Sequence, residues 1–293
     1  MSDALIIISV GFLVAVNAGV AGSFMVLRKL SMIGDAISHA VLPGIIIAYL
    51  IAGQRENFFF LAGAALMGVV VTLMIEWFNK KGRLPTDASI GLSFTFLFAV
   101  GIILISAYTD SVDIDAECVL FGEIALVPFY TYTVFGYEIG TKALWDNLFI
   151  LALIIVFVLA MYRPLAITSF NEEYGQSIGI RTRSIRLLLM VMVSLTTVFA
   201  FESVGAILVV AFLVIPPATA LLISRRLHHM LLITVLLAFF SAVGGFFLAE
   251  LIDGSIAGAM SVVSGLLFIG VVFGKKFIQG PKKILSPHQG VLK

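Results

Sequence analysis

About nine long apolar runs divide this chain of 293 residues, and they leave it few ways to fold. They cover about residues 4–27, 36–53, 57–78, 90–108, 147–162, 185–203, 205–223, 230–251 and 256–274. A helix needs roughly 20 apolar residues to cross a hydrocarbon core of about 30 Å, and most of these runs approach that length. Lipid offers no hydrogen bonds to bare backbone, so a spanning segment is a helix or part of a closed barrel. A barrel would read as short alternating strands, whereas 148–160 and 231–240 are almost uniformly apolar. The expectation is an all-α, polytopic membrane protein with about nine transmembrane helices, eight to ten being compatible with the runs. One membrane domain takes up 1–275, and a polar tail follows over 276–293.

The few charges are sorted along the chain. Only 12% of residues are charged and 61% are hydrophobic, about half the charge of a soluble domain. Counting the connections alternately, one set holds sixteen of the 18 basic residues, among them Arg28, Lys80, Arg163, Arg181, Arg225, Lys275 and Lys293. The other set holds only Arg55 and Lys142. Basic residues stay on the cytoplasmic side, so the N-terminus is expected outside and the C-terminus in the cytoplasm. The longest external connection, 109–146, is acidic, with Asp110, Asp113, Asp115, Glu117, Glu123, Glu138 and Asp146. It reads either as a negative outer face for cations or a basic partner, or as a solvated loop. Within it, the apolar stretch 119–128 either lies flat or re-enters. A net charge of +1 gives no basic excess for a polyanion, so nucleic acid is not an expected ligand. The lone cysteine, Cys118, excludes a multi-cysteine metal site.

Against this background a few polar residues stand out. Asp35 and His39 lie four apart at the second apolar run, which puts them on one helical face. A carboxylate at membrane depth costs roughly 2.5–3.5 kcal/mol, so it normally faces a cavity or a partner. The pair can converge on one divalent cation, and oxygen plus nitrogen donors suit manganese, iron or zinc. Alternatively it forms a hydrogen bond that tethers one helix to the next. Two ligands are too few for a tight site, and a second copy across a dimer axis would supply four. Glu202 lies at the outer end of the sixth run, as a possible pathway residue. Pro216-Pro217 in the seventh run predict a break or hinge. In the cytoplasmic connection 163–186, Thr168 or Ser169 before Glu172 and Glu173 reads as a helix start, and Gly179 as a stop. Such a short helix outside the membrane is either a docking surface or a plain surface helix. His228-His229 read as part of a solvated loop. The chain has no G-x-x-x-x-G-K-[ST] for nucleotide, and no H-E-x-x-H or G-x-S-x-G.

The stretch 30–44, LSMIGDAISHAVLPG, strongly resembles the signature of the manganese/zinc/iron ABC-importer permeases. Residues 118–124 are similar to the family's external segment, 170–180 to its coupling region and 204–220 to its late apolar motif. The likeness extends over about 10–275. It implies a multi-pass permease of the bacterial inner membrane that is not itself an enzyme. Its partners would be a second permease subunit, identical or related, two cytoplasmic ATP-binding subunits, and an extracellular solute-binding protein. No cofactor is held permanently; the divalent metal is cargo, with manganese the first choice and zinc or iron close behind. The resemblance makes Asp35 and His39 the metal-contacting pair. It makes 163–184 the coupling region, with Phe170, Asn171, Glu172, Glu173, Tyr174, Gly175, Ile178 and Gly179 facing the ATPase. It supplies no counterpart for Glu202, and relatives often have a single proline where this chain has Pro216-Pro217. The alternative cargo is a metal chelate such as a siderophore.

Overall fold

The computed structural model describes residues 3–52, 57–108, 124–134 and 137–279. The acids at 110, 113, 115, 117 and 123, Cys118, Arg55, His288 and the tail beyond 279 lie outside those residues. The helices are α1 (Asp3–Leu27), α2 (Met32–Ala52), α3 (Asn57–Lys80), α4 (Thr86–Tyr108), α5 (Lys142–Phe170), α6 (Glu172–Ser177), α7 (Thr182–Val204), α8 (Ala206–Ile223), α9 (Leu227–Ile252) and α10 (Ile256–Gln279). Among the described residues, seven helices are long and apolar enough to cross a membrane: α1, α4, α5, α7, α8, α9 and α10. The other two long helices, α2 and α3, have 21 and 24 residues. The all-α expectation holds apart from one small hairpin, β1 (Thr131–Val134) paired antiparallel with β2 (Tyr137–Thr141). Ahead of it, Ile124–Phe129 forms a 3-10 turn that buries Ile124 and Val127. That part of the apolar external stretch packs onto the bundle.

Large apolar side chains cover much of the outside, including Phe149, Val156, Leu159, Leu232, Phe240 and Phe273. Exposed surface of this kind belongs against lipid. Inside, many hydroxyls are satisfied within their own helices, as Ser23 donates to the Gly19 carbonyl, Thr196 to Met192 and Thr234 to Met230. Buried amides join three helices. Asn17 on α1 donates to the Asn147 carbonyl on α5 at 2.9 Å, and Asn147 donates to Ser203 on α7 at 3.1 Å.

Several boundaries differ from the sequence expectation. The sequence places the end of the fifth span near residue 162, but α5 runs on through Pro164 to Phe170 for 29 residues. Thr168 and Ser169 therefore lie in its last turn and start no helix. The actual cap of α6 is Asn171, whose side chain accepts from the Tyr174 amide at 2.9 Å. Gly179, at φ +84°, follows the end of α6 as expected of a stop. The tight junction between α7 and α8 is a single residue, Gly205, at φ +81°, a backbone state that other residues rarely adopt.

Pro216-Pro217 do not break α8, which is continuous from Ala206 to Ile223. The two prolines lack amide hydrogens, so the carbonyls of Phe212 and Leu213 lose their helical donors. The Leu213 carbonyl instead abuts Gly22 of α1. A Cβ at Gly22 would stand 1.9 Å from that oxygen. The missing side chain lets α1 lie directly on the proline-freed carbonyl and seal it from lipid, with room for weak Cα–H···O contact. Gly22→Ala must push the two backbones apart, and overpacking of this kind costs about 1–3 kcal/mol. The thermal midpoint of the detergent-solubilised protein is expected to fall by several degrees. Gly91→Ala, where nothing lies within 4 Å of the added carbon, is the control that should leave the midpoint unchanged or raise it.

Candidate functional site

Helix α2 packs against α3 and α4, and touches α7 and α8 on its other side. It begins at Met32, four residues before the start expected from the sequence. Asp35 therefore stands in its first turn and His39 in its second, shallower than a position well inside a span. At about 1.5 Å rise per residue, the two lie within roughly 10 Å of the end of the helix. Both side chains are partly open, His39 at 36% and Asp35 at 43% exposure.

The pair lies on one helical face with its polar atoms turned toward each other. His39 Nε2 and Asp35 Oδ1 are 3.6 Å apart, too far for a hydrogen bond. Two donors about 2.1 Å from one cation, at a near-tetrahedral angle, would lie about 3.4 Å apart. The imidazole is oriented by α4, with Phe94 stacked at 5.7 Å and Phe98 edge-on at 5.4 Å. His39 Nδ1 is buried without a hydrogen-bond partner. Among the described residues neither side chain hydrogen-bonds to a neighbouring helix. Also among those residues, no third His, Cys, Asp or Glu joins the pair.

Glu202 is not brought to this pair. It forms an ion pair with Lys142 at the start of α5. Nearby, Tyr132 donates to Asp146 at 3.1 Å. Burial, followed by the charges of Asp146 and Glu202, pushes the Tyr132 phenol up to about 12. This polar cluster joins the hairpin, α5 and the end of α7.

At the end of the bundle where α2 begins, α6 lies across the ends of α5 and α7. It presents Phe170, Tyr174 and Ile178, exposed by 66%, 56% and 47%. Glu173 is also exposed, and Gly175 is buried. Glu172 points inward to an ion pair with Arg186 of α7. Beside it, Arg28, just past α1, donates to Thr168 at 2.7 Å and Ser169 at 3.1 Å. Burial and the neighbouring Arg186 lower the Arg28 pKa to about 10, with Glu172 acting the other way. The guanidinium stays charged at neutral pH. On α3, Glu76 binds Lys80 at 2.9 Å and Arg183 of α7 at 3.3 Å. The sequence reading missed Arg28, Arg186 and Glu76, because their partners lie up to 141 residues away.

The ABC 3 transport family matches residues 2–275. The manganese transport system membrane protein MntD of Bacillus subtilis is 43% identical over 98% of this chain and 93% of its own length. The zinc transport system membrane protein TroD of Treponema pallidum is 37% identical over 98% of this chain and 75% of its own. Among solved structures, PsaBC from Streptococcus pneumoniae in complex with Fab superimposes with a TM-score of 0.76. It is 28% identical and covers 93% of this chain and 92% of its own.

Proposed function

This chain belongs to the ABC 3 transport family, and from that premise we propose that it is the permease of an ATP-driven importer that carries manganese into the cell. The observation that carries the reading is the Asp35–His39 pair, an oxygen and a nitrogen 3.6 Å apart on one helical face. Such donors bind hard to borderline divalent cations, which includes zinc and iron as well as manganese. The similarity to one protein named for manganese and another named for zinc agrees with that range. A second permease subunit supplies the remaining donors, and the pathway lies between the two. Nine helices cross the membrane, with the N-terminus outside and the basic connections in the cytoplasm, following the charge asymmetry. An extracellular binding protein delivers the metal.

ATP is bound and hydrolysed in separate cytoplasmic subunits. These dock on Phe170, Tyr174 and Ile178, whose exposed apolar surface lies beyond the spanning helices. Movement of α6 passes to α7 through Glu172–Arg186, and Arg28 joins the end of α1 to that of α5. Asp35 thus lies seven residues along the chain from Arg28, which the docking region holds.

The test is uptake by the whole transporter, with its ATPase and binding protein, reconstituted in liposomes. ATP-dependent entry of radioactive manganese is expected, with excess zinc or ferrous iron competing. Uptake of a ferric siderophore that free manganese does not inhibit would overturn the reading in favour of a chelate permease.

A further inference from the structure

The loop between α8 and α9 holds a basic recess that the transport reading does not use. Ile223, Ser224, Arg225, Arg226, His229 and Leu232 are among the residues that line an open cavity of about 520 Å³. No carboxylate lines it, and among the described residues neither arginine forms an ion pair. A third cation joins this end of the bundle, where Lys275 of α10 donates to the Leu222 carbonyl at 2.7 Å. Directly below, Ile223, Leu232, Leu236 and Phe240 are exposed. They form an apolar face that matches the acyl chains of surrounding lipid.

We infer that this recess binds the phosphate of an anionic phospholipid, with the acyl chains lying along the exposed face of α9. Charge complementarity selects the occupant. A recess lined by two arginines, at the level where an apolar helix face ends, matches the boundary between headgroup and acyl chain. Guanidinium groups recognise phosphate oxygens in bidentate fashion. Ser224 and His229 add further hydrogen-bonding side chains at the same rim. The uncapped first turn of α9 reinforces a field that the arginines already set. A zwitterionic lipid offers the same phosphate but cancels its charge, so the recess should discriminate by net charge. This inference rests on membrane embedding alone and stands whichever metal is carried.

Native mass spectrometry of the intact transporter, permease together with its ATPase subunits, reads the bound lipid. Wild type is expected to retain phosphatidylglycerol and to release phosphatidylcholine. Arg225→Gln with Arg226→Gln is expected to lower phosphatidylglycerol retention roughly tenfold or more. A photoreactive phosphatidylglycerol on the wild-type complex should label 223–233, which tests the site without any variant. Equal retention by the double variant, or labelling spread evenly over all helices, would overturn the inference. Displacement of the lipid by millimolar inorganic phosphate would mark a free-anion site instead, and also overturns it. Unchanged lipid with loss of the ATPase subunit would assign the arginines to a protein partner, with the same consequence.

Discussion

Asp35→Ala and His39→Ala are each expected to lower ATP-dependent metal uptake by at least about a hundredfold, at a normal level of permease in the membrane. Even groups that merely orient a metal ligand are worth about 10–100-fold in affinity when removed. Losing one of the two proposed donors found among the described residues should exceed that. Stability should change little, because the two side chains are partly open and 3.6 Å apart. That separation of effects decides the matter. A tether would lose fold and transport together, while a ligand loses transport alone. Asp35→Asn sharpens the contrast, since it keeps shape and hydrogen bonding but removes the charge that offsets a divalent cation. Phe94→Leu, which leaves both donors in place but releases the stacked imidazole, should weaken uptake less than removal of His39. Normal uptake by Asp35→Ala at normal abundance would remove the pair from the pathway.

The Asp35–His39 pair was legible because its logic is local. Four-residue spacing predicts a shared helical face, and an ionisable residue in an apolar run calls for a reason. What surrounds the pair was not legible. Phe94 and Phe98 come from α4, and nothing in their own run marks them off from other core phenylalanines. The helices themselves followed from long apolar runs, because a spanning segment satisfies its backbone only by being helical. Their ends did not follow, and each failure has a tertiary cause. Tyr162-Arg163-Pro164 reads as the end of a helix. Yet α5 continues, because Arg28 from 140 residues earlier holds its last turn through Thr168. Pro216-Pro217 read as a break, but Gly22 covers the carbonyl that Pro217 sets free. In both cases a partner distant in sequence packs on or bonds to the segment, which local rules do not count. Glu172 and Glu173 look alike in sequence, and only the fold separates one that turns inward from one that faces out.

That difference carries the second large effect. Glu172→Lys is expected to detach α6 from α7 and to lower ATP-driven transport about five- to thirtyfold, with the permease still inserted. The carboxylate pairs with Arg186 and also acts on the half-buried Arg28, whose pKa burial and Arg186 lower to about 10. A third cation there has no counter-charge, and at this half-buried depth the cost is about 1–2 kcal/mol. The tilt or docking of α6, and with it Phe170 and Tyr174, then shifts away from the geometry that the ATPase meets. Restoring opposite charge in the reverse sense, Glu172→Lys with Arg186→Glu, should recover most of the transport and most of the copurified ATPase. Recovery of this kind is specific to bracing. If Glu172 contacted the ATPase directly, the swap would leave that contact reversed and transport lost. Glu173 supplies the comparison, since its side chain is exposed and forms no ion pair among the described residues. Glu173→Lys should weaken ATPase copurification without rescue by any change at Arg186. Failure of the double swap to recover either readout, with Glu172→Lys alone impaired, would move Glu172 from the brace to the interface.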